Sequence, residues 1–113
     1  MNPKTRVALS FIDSNLHRPI KVAEVAQPVR LSRSRLCWLF KSEIGMAPTQ
    51  YLRKLRMEKA LELLESSLLS IKEIAAMVGY NDSNHFMREF KKSYGSTPSQ
   101  YRATYLSHVE QTD

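Results

Sequence analysis

The chain has 113 residues, room for one domain or two very small ones, and its 42% hydrophobic content supplies a folded core. No apolar run approaches the roughly 20 residues of a membrane span. Met1-Asn2-Pro3-Lys4 lacks the apolar stretch of a signal peptide, so a cytoplasmic protein without membrane contact is expected. The single cysteine, Cys37, makes no internal disulfide, and with His17, His85 and His108 it forms no metal-ligand spacing, so no metal or other cofactor is expected.

A net charge of +6 points to a polyanionic partner, and the charge is unevenly placed. Up to Arg56, eleven Lys and Arg face Asp13, Glu24 and Glu43, a net +8; the remainder carries six against eight, a net −2. Any grip on phosphate should come mainly from the first half.

Helical periodicity runs along the chain and no alternating strand pattern interrupts it, so an all-α fold is expected. Val7, Phe11, Ile12 and Leu16 predict a first helix over residues 4–17, ending before Pro19. A short helix follows over Val22 to Gln27, then a turn at Val29 to Leu31. Ser32 is a good N-cap for a helix from Arg33 to about Ile44, which Gly45 stops. Pro48 opens a long helix through Leu52, Leu55, Ala60, Leu61 and Leu64 to about Glu65. Ser70-Ile71-Lys72-Glu73 is a capping box for a fifth helix, with its turn at Gly79-Tyr80. Asp82 caps a sixth from Ser83 to Tyr94, and Thr97-Pro98-Ser99-Gln100 opens a seventh to about Leu106, leaving a tail over 107–113.

The second half repeats the first. Phe40-Lys41, Gly45, Pro48 and Gln50-Tyr51 reappear fifty residues later as Phe90-Lys91, Gly95, Pro98 and Gln100-Tyr101. Upstream, with one residue dropped, Glu24-Val25-Ala26 and Val29 match Glu73-Ile74-Ala75 and Val78. Each copy is a helix-turn-helix by pattern: a first unit over 4–47, a connecting helix over 48–65 and a second unit over 66–106. Two such units on a basic chain suggest a reader of two successive stretches of double-stranded DNA.

The third helix of each unit carries two faces. Leu36, Leu39, Phe40 and Ile44 form an apolar stripe, as Phe86, Phe90 and Tyr94 do in the second copy. The other face reads Ser34, Cys37, Trp38, Lys41 and then Asn84, Met87, Arg88, Lys91, with Arg33 and Arg35, and their counterparts Ser83 and His85, at its flank. A helix in the major groove meets base edges with its N-terminal half, while Lys or Arg nearby reaches phosphate. Phosphate contacts are therefore expected from Arg30, Ser32, Arg33, Lys41, Ser83 and Lys91.

The two units, the run Arg56-Met57-Glu58-Lys59-Ala60, and Ile74-Ala75-Ala76-Met77-Val78-Gly79-Tyr80 followed by Phe86, Phe90, Gly95, Thr97-Pro98 and Tyr101 resemble the DNA-binding domain of AraC/XylS-type transcription regulators. The resemblance covers about Val7 to Tyr105. It implies seven helices, two helix-turn-helix units joined by the long helix, and a transcriptional activator or, less often, a repressor. By family resemblance, RNA polymerase is a further expected partner. The positions matching the family's base contacts are Ser34, Arg35, Cys37 and Trp38, then Asn84, His85 and Arg88. Two readers in tandem, unrelated by a two-fold axis, are expected to bind an asymmetric site as a monomer.

The first copy departs from the pattern twice. Arg30 stands where the second has Gly79; a positive φ there costs a side chain about 1 kcal/mol or more, so a turn of another shape is expected. Pro28 replaces Met77 and should shorten or kink the second helix.

Plainer readings stand beside these. Trp38 lies one step from Cys37 and four from Ser34, which favours groove contact, against a thymine methyl or a sugar, over a core position. Cys37 fits a small filler better than a reactive thiol. His85 reads as a base or phosphate contact or as an ordinary exposed histidine. Met87 suits packing or a weak apolar contact, and Arg53, Lys54 and Arg56 suit a solvated face. No nucleophile, base and orienter pattern and no phosphate-binding loop marks an enzyme. The stronger rival is a helical protein-interaction module, which would lack a steep salt dependence of duplex binding.

Overall fold

A computed structural model describes residues 1–111. Among the described residues there are seven helices and no strand: α1 Pro3–Ser14, α2 Val22–Ala26, α3 Arg33–Ile44, α4 Pro48–Ser66, α5 Ile71–Met77, α6 Ser83–Tyr94 and α7 Pro98–Gln111. None of these helices is long and apolar enough to cross a membrane. The chain divides into two compact units, Met1–Arg56 and from Met57 onward, with the division inside α4.

The helix ends follow from local chemistry. Ser32 Oγ accepts the Arg35 N–H at 3.1 Å to open α3, and Asp82 Oδ1 accepts the Asn84 N–H at 2.9 Å to open α6. Both helices close on a left-handed glycine, Gly45 at φ 91° and Gly95 at φ 81°, whose N–H bonds the Lys41 and Lys91 carbonyls. A Cβ on Gly45 or Gly95 would meet nothing within 4 Å, so backbone conformation and not space calls for glycine. The expected boxes form: Ser70 with Glu73, and Thr97 with Gln100, exchange bonds of 3.0 to 3.2 Å. Ala47 has no hydroxyl, so only the Gln50 half of the equivalent box forms at α4.

Two ends differ from expectation. α1 stops at Ser14 because Asn15 turns back on it, its N–H bonding Ile12 O and its side-chain amide donating to Phe11 O at 2.7 Å. α7 continues past Leu106 to Gln111. Ser107-His108-Val109-Glu110 contains neither Pro nor Gly, so nothing in the expected tail stops the helix. Thr112 and Asp113 lie outside the described residues.

The turn inside each unit is the same despite Arg30. The Leu31 N–H bonds Ala26 O and the Arg30 N–H bonds Gln27 O; the Tyr80 N–H bonds Ala75 O and the Gly79 N–H bonds Ala76 O. That paired pattern ends a helix around a left-handed residue, and Arg30 (φ 57°) and Gly79 (φ 89°) both take that conformation. The expectation of another turn shape is thus corrected: two turn-closing bonds hold Arg30 in a conformation that costs a side chain about 1 kcal/mol or more. Pro28 does shorten α2, which ends at Ala26 whereas α5 reaches Met77. It has no N–H to extend the helix ladder. The residue that shifts the repeat's register is Asn81, lying between Tyr80 and the Asp82 cap where Leu31 adjoins Ser32 directly.

Each unit has its own core. The first gathers Ala8, Ile12, Val25, Ala26, Val29, Leu36 and Phe40; the second gathers Met57, Ala60, Leu64, Ile74, Ala75, Val78, Phe86 and Phe90. The repeated Phe and Tyr make equivalent contacts, with Phe40 5.5 Å from Tyr51 and Phe90 6.1 Å from Tyr101 between ring centres. Truncating either phenylalanine to alanine removes a fully buried ring, a loss of about 3–5 kcal/mol.

Candidate nucleic-acid interface

Burial of Leu36 and Phe40 on α3, and of Phe86 and Phe90 on α6, turns the opposite face of each helix to solvent. On α3, Arg33, Ser34, Arg35, Trp38 and Lys41 are exposed; on α6, Asn84, His85, Arg88 and Lys91 are. Trp38 is 62% exposed, which excludes a core role for it. Arg30 and Ser32 are exposed in the turn leading into α3, while Ser83 is half-buried at the start of α6. The α3 and α6 sets fall in different units.

The boundary between the faces lies at Cys37 and its counterpart Met87, both half-buried, with Met87 packed partly on the second core. The expected apolar stripes are narrower than drawn. Leu39 is half-buried outside the first core, and Ile44 is packed only in part. Tyr94 is 38% exposed although its ring lies 4.8 Å from Phe90. Partial burial, reinforced by the charge of Glu58, raises its phenol pKa.

Two exposed side chains are held by neighbours. The Arg35 guanidinium carbon sits 5.4 Å from the centre of the Trp38 ring. The His85 ring meets Tyr80 edge-on at 5.2 Å, and its Nε2 lies 3.5 Å from Glu89 Oε1, an ion pair only when the histidine is protonated. Ser42 Oγ donates to the Trp38 carbonyl at 2.8 Å.

Two carboxylates of the first unit are held ionised by their neighbours. Glu43 is engaged by the Thr5 hydroxyl and the Asn2 N–H, which hold its carboxyl below the usual carboxylate range. Arg18 does the same for Glu24 from 2.9 Å. Arg53 and Lys54 are exposed as expected, but Arg56 is half-buried and donates to the Arg18 carbonyl at 2.7 Å, so it is not part of a solvated face.

Three contacts carry little sequence signal: Glu43 with the start of α1, Tyr101 Oη donating to Glu65, and Arg102 donating to carbonyls at the end of α4. Their partners are 33 to 41 residues away in the chain, and no local pattern announces them. The Arg35 and Trp38 contact was not expected from the sequence either, although their spacing of three residues on one helix is the signal that could have found it.

Two helix-turn-helix units, each presenting the exposed face of its third helix, define a DNA-binding domain of transcription-regulator type. A family model described as a helix-turn-helix domain matches residues 25–104. The chain belongs to the AraC/XylS-type DNA-binding domains. It is 36% identical to the lactose operon transcription activator of Staphylococcus xylosus over 90% of this chain and 37% of that protein. Among solved structures, the C-terminal domain of AraT, a response regulator from Geobacillus stearothermophilus, has 38% identity and a TM-score of 0.88, covering 91% of this chain and 86% of that one. The DNA-binding domain of AdpA, a global transcriptional factor solved in complex with a target DNA, has 31% identity and a TM-score of 0.89, covering 98% and 99%. The chain spans about a third of the length of the curated relatives it matches.

Proposed function

We propose that α3 and α6 enter successive major-groove segments of one duplex and read it unequally. The observation that carries this reading is the matched exposure of corresponding positions: Ser34 with Asn84, Arg35 with His85, Trp38 with Arg88 and Lys41 with Lys91, on helices capped alike. Ser34, Arg35, Cys37 and Trp38 on α3, and Asn84, His85 and Arg88 on α6, are the base readers. Arg30, Ser32, Arg33, Lys41, Ser83 and Lys91 contact phosphate, with Ser32 able to donate its hydroxyl while accepting the Arg35 N–H.

The protein binds as a monomer, acts in the cytoplasm, and regulates by activation with RNA polymerase as its partner. The monomer assignment rests on the tandem repeat of the two units along the sequence; activation, RNA polymerase and the cytoplasm rest on likeness to relatives that include an operon activator. Selecting bound duplexes from a random pool tests the reading. The expected consensus is asymmetric, with two contact blocks about 10 bp apart, bound one protein per duplex. A perfect palindrome bound only by dimers would contradict it.

A further inference from the structure

We propose that Arg35 and Trp38 act as one reader, taking a guanine and a thymine at neighbouring base pairs of the first block. The proposal deepens the reading that α3 enters the major groove and rests on it. The two side chains are exposed, three residues apart on one helix face, with the guanidinium carbon over the indole at 5.4 Å. The guanidinium carries five N–H donors, more than one ring can engage, so an edge of it stays available to a base. That edge offers the fork geometry that pairs with two adjacent acceptors. In the major groove guanine alone among the bases presents two, O6 and N7.

The indole has the opposite preference. Its apolar body suits the one apolar group on a major-groove edge, the thymine 5-methyl. Bases along a strand are about 3.4 Å apart, so two groups paired at 5.4 Å address adjacent base pairs and not distant ones. Holding Arg35 against Trp38 also removes rotamer freedom before binding, which lowers the ordering cost on contact. The second unit has no such pair: the positions matching Arg35 and Trp38 are His85 and Arg88, and His85 is held by Tyr80 and Glu89. The guanine and thymine requirement therefore belongs to the first block alone.

The test uses the selected site and three altered duplexes: deoxyuridine for that thymine, which removes only the methyl; 7-deazaguanine for that guanine, which removes only N7; and a scrambled first block. Deoxyuridine should weaken binding about fourfold, the worth of one buried methyl group. The 7-deaza change should weaken it about tenfold, the lower range of a bidentate base contact. With Trp38→Ala the deoxyuridine effect should vanish and the 7-deaza effect should shrink, while the helical circular dichroism and melting temperature of the free protein stay those of the parent and show the fold intact. A first block lacking adjacent guanine and thymine overturns the proposal. So does a deoxyuridine effect that is absent, or that survives Trp38→Ala, when scrambling the block still abolishes binding; α3 would then read DNA without this pair. If scrambling the first block changes nothing, the groove reading fails and the proposal with it.

Discussion

Arg35 lies over the ring of Trp38, so these two exposed side chains are energetically linked. An exposed pair of this kind contributes about 0.5–1 kcal/mol, and removing either partner releases the other. Their substitutions are therefore non-additive by about that amount. A double-mutant cycle on specific DNA affinity measures it, and strict additivity would show that the pair does not persist in the complex.

Base readers and phosphate contacts separate by specificity. Arg35→Ala, Trp38→Ala and Arg88→Ala should each lower specific affinity by about 1–3 kcal/mol and leave non-specific binding nearly intact. Lys41→Ala and Lys91→Ala should weaken both alike and reduce the salt slope by about one unit each. Titrations against specific and random duplexes over a salt series read both quantities; an unchanged specificity ratio in Arg88→Ala would remove it from the readers.

Arg30→Gly should raise stability and lower affinity. The substitution relieves a left-handed side-chain residue, worth about 1 kcal/mol, and deletes a proposed phosphate contact. Thermal unfolding and duplex titration give the two numbers. A lower melting temperature would mean that the arginine side chain stabilises the turn by more than its backbone costs.

The sequence made most of this fold legible because its signals are local: Ser32, Asp82, the Ser70 and Thr97 boxes, Gly45 and Gly95 each act within one turn of helix. The exposed faces of α3 and α6 followed from the spacing of Leu36 and Phe40 and of Phe86 and Phe90. What escaped was non-local or cooperative. Arg30 adopts glycine's conformation because tertiary packing of Val29 and Leu31 and two turn-closing bonds outweigh a local preference. Arg56 leaves the solvated face for a carbonyl 38 residues away, and Tyr94 leaves the apolar stripe for partial exposure.

Glu43 clamps the start of α1 to α3, and its pH dependence has a definite sign. Its folded pKa is lowered by the Thr5 hydroxyl and the Asn2 N–H, so the clamp's stabilisation is present above the ordinary value near 4.5 and lost as pH falls below it. Glu43→Gln should flatten that part of the acid unfolding profile. An unchanged profile would show that the clamp does not depend on the carboxylate charge.

Tyr101 acts at the other end of the scale. Donation to Glu65, with burial and that negative charge, pushes its phenol up to about 12. The stabilisation is full below the ordinary value of 10.0 and lost as pH rises through about 12. Absorbance titration of the tyrosines should show one group ionising last, absent in Tyr101→Phe; its appearance among the ordinary phenols would contradict the Glu65 contact.

Two unequal readers should take successive blocks of one site, and the charge division ranks them. The boundary between the compact units, at Arg56, is also where the +8 and −2 segments meet. Counterion release scales with the phosphates neutralised, so the first unit should supply most of the affinity and most of its salt dependence. Affinity for duplexes shortened to remove one block at a time, and with it the phosphates of that block, measured at two salt concentrations, tests this most directly. Loss of the first block should nearly abolish binding, and loss of the second should leave a weaker complex with most of its salt slope; equal losses, or a larger loss from the second block, would contradict the account.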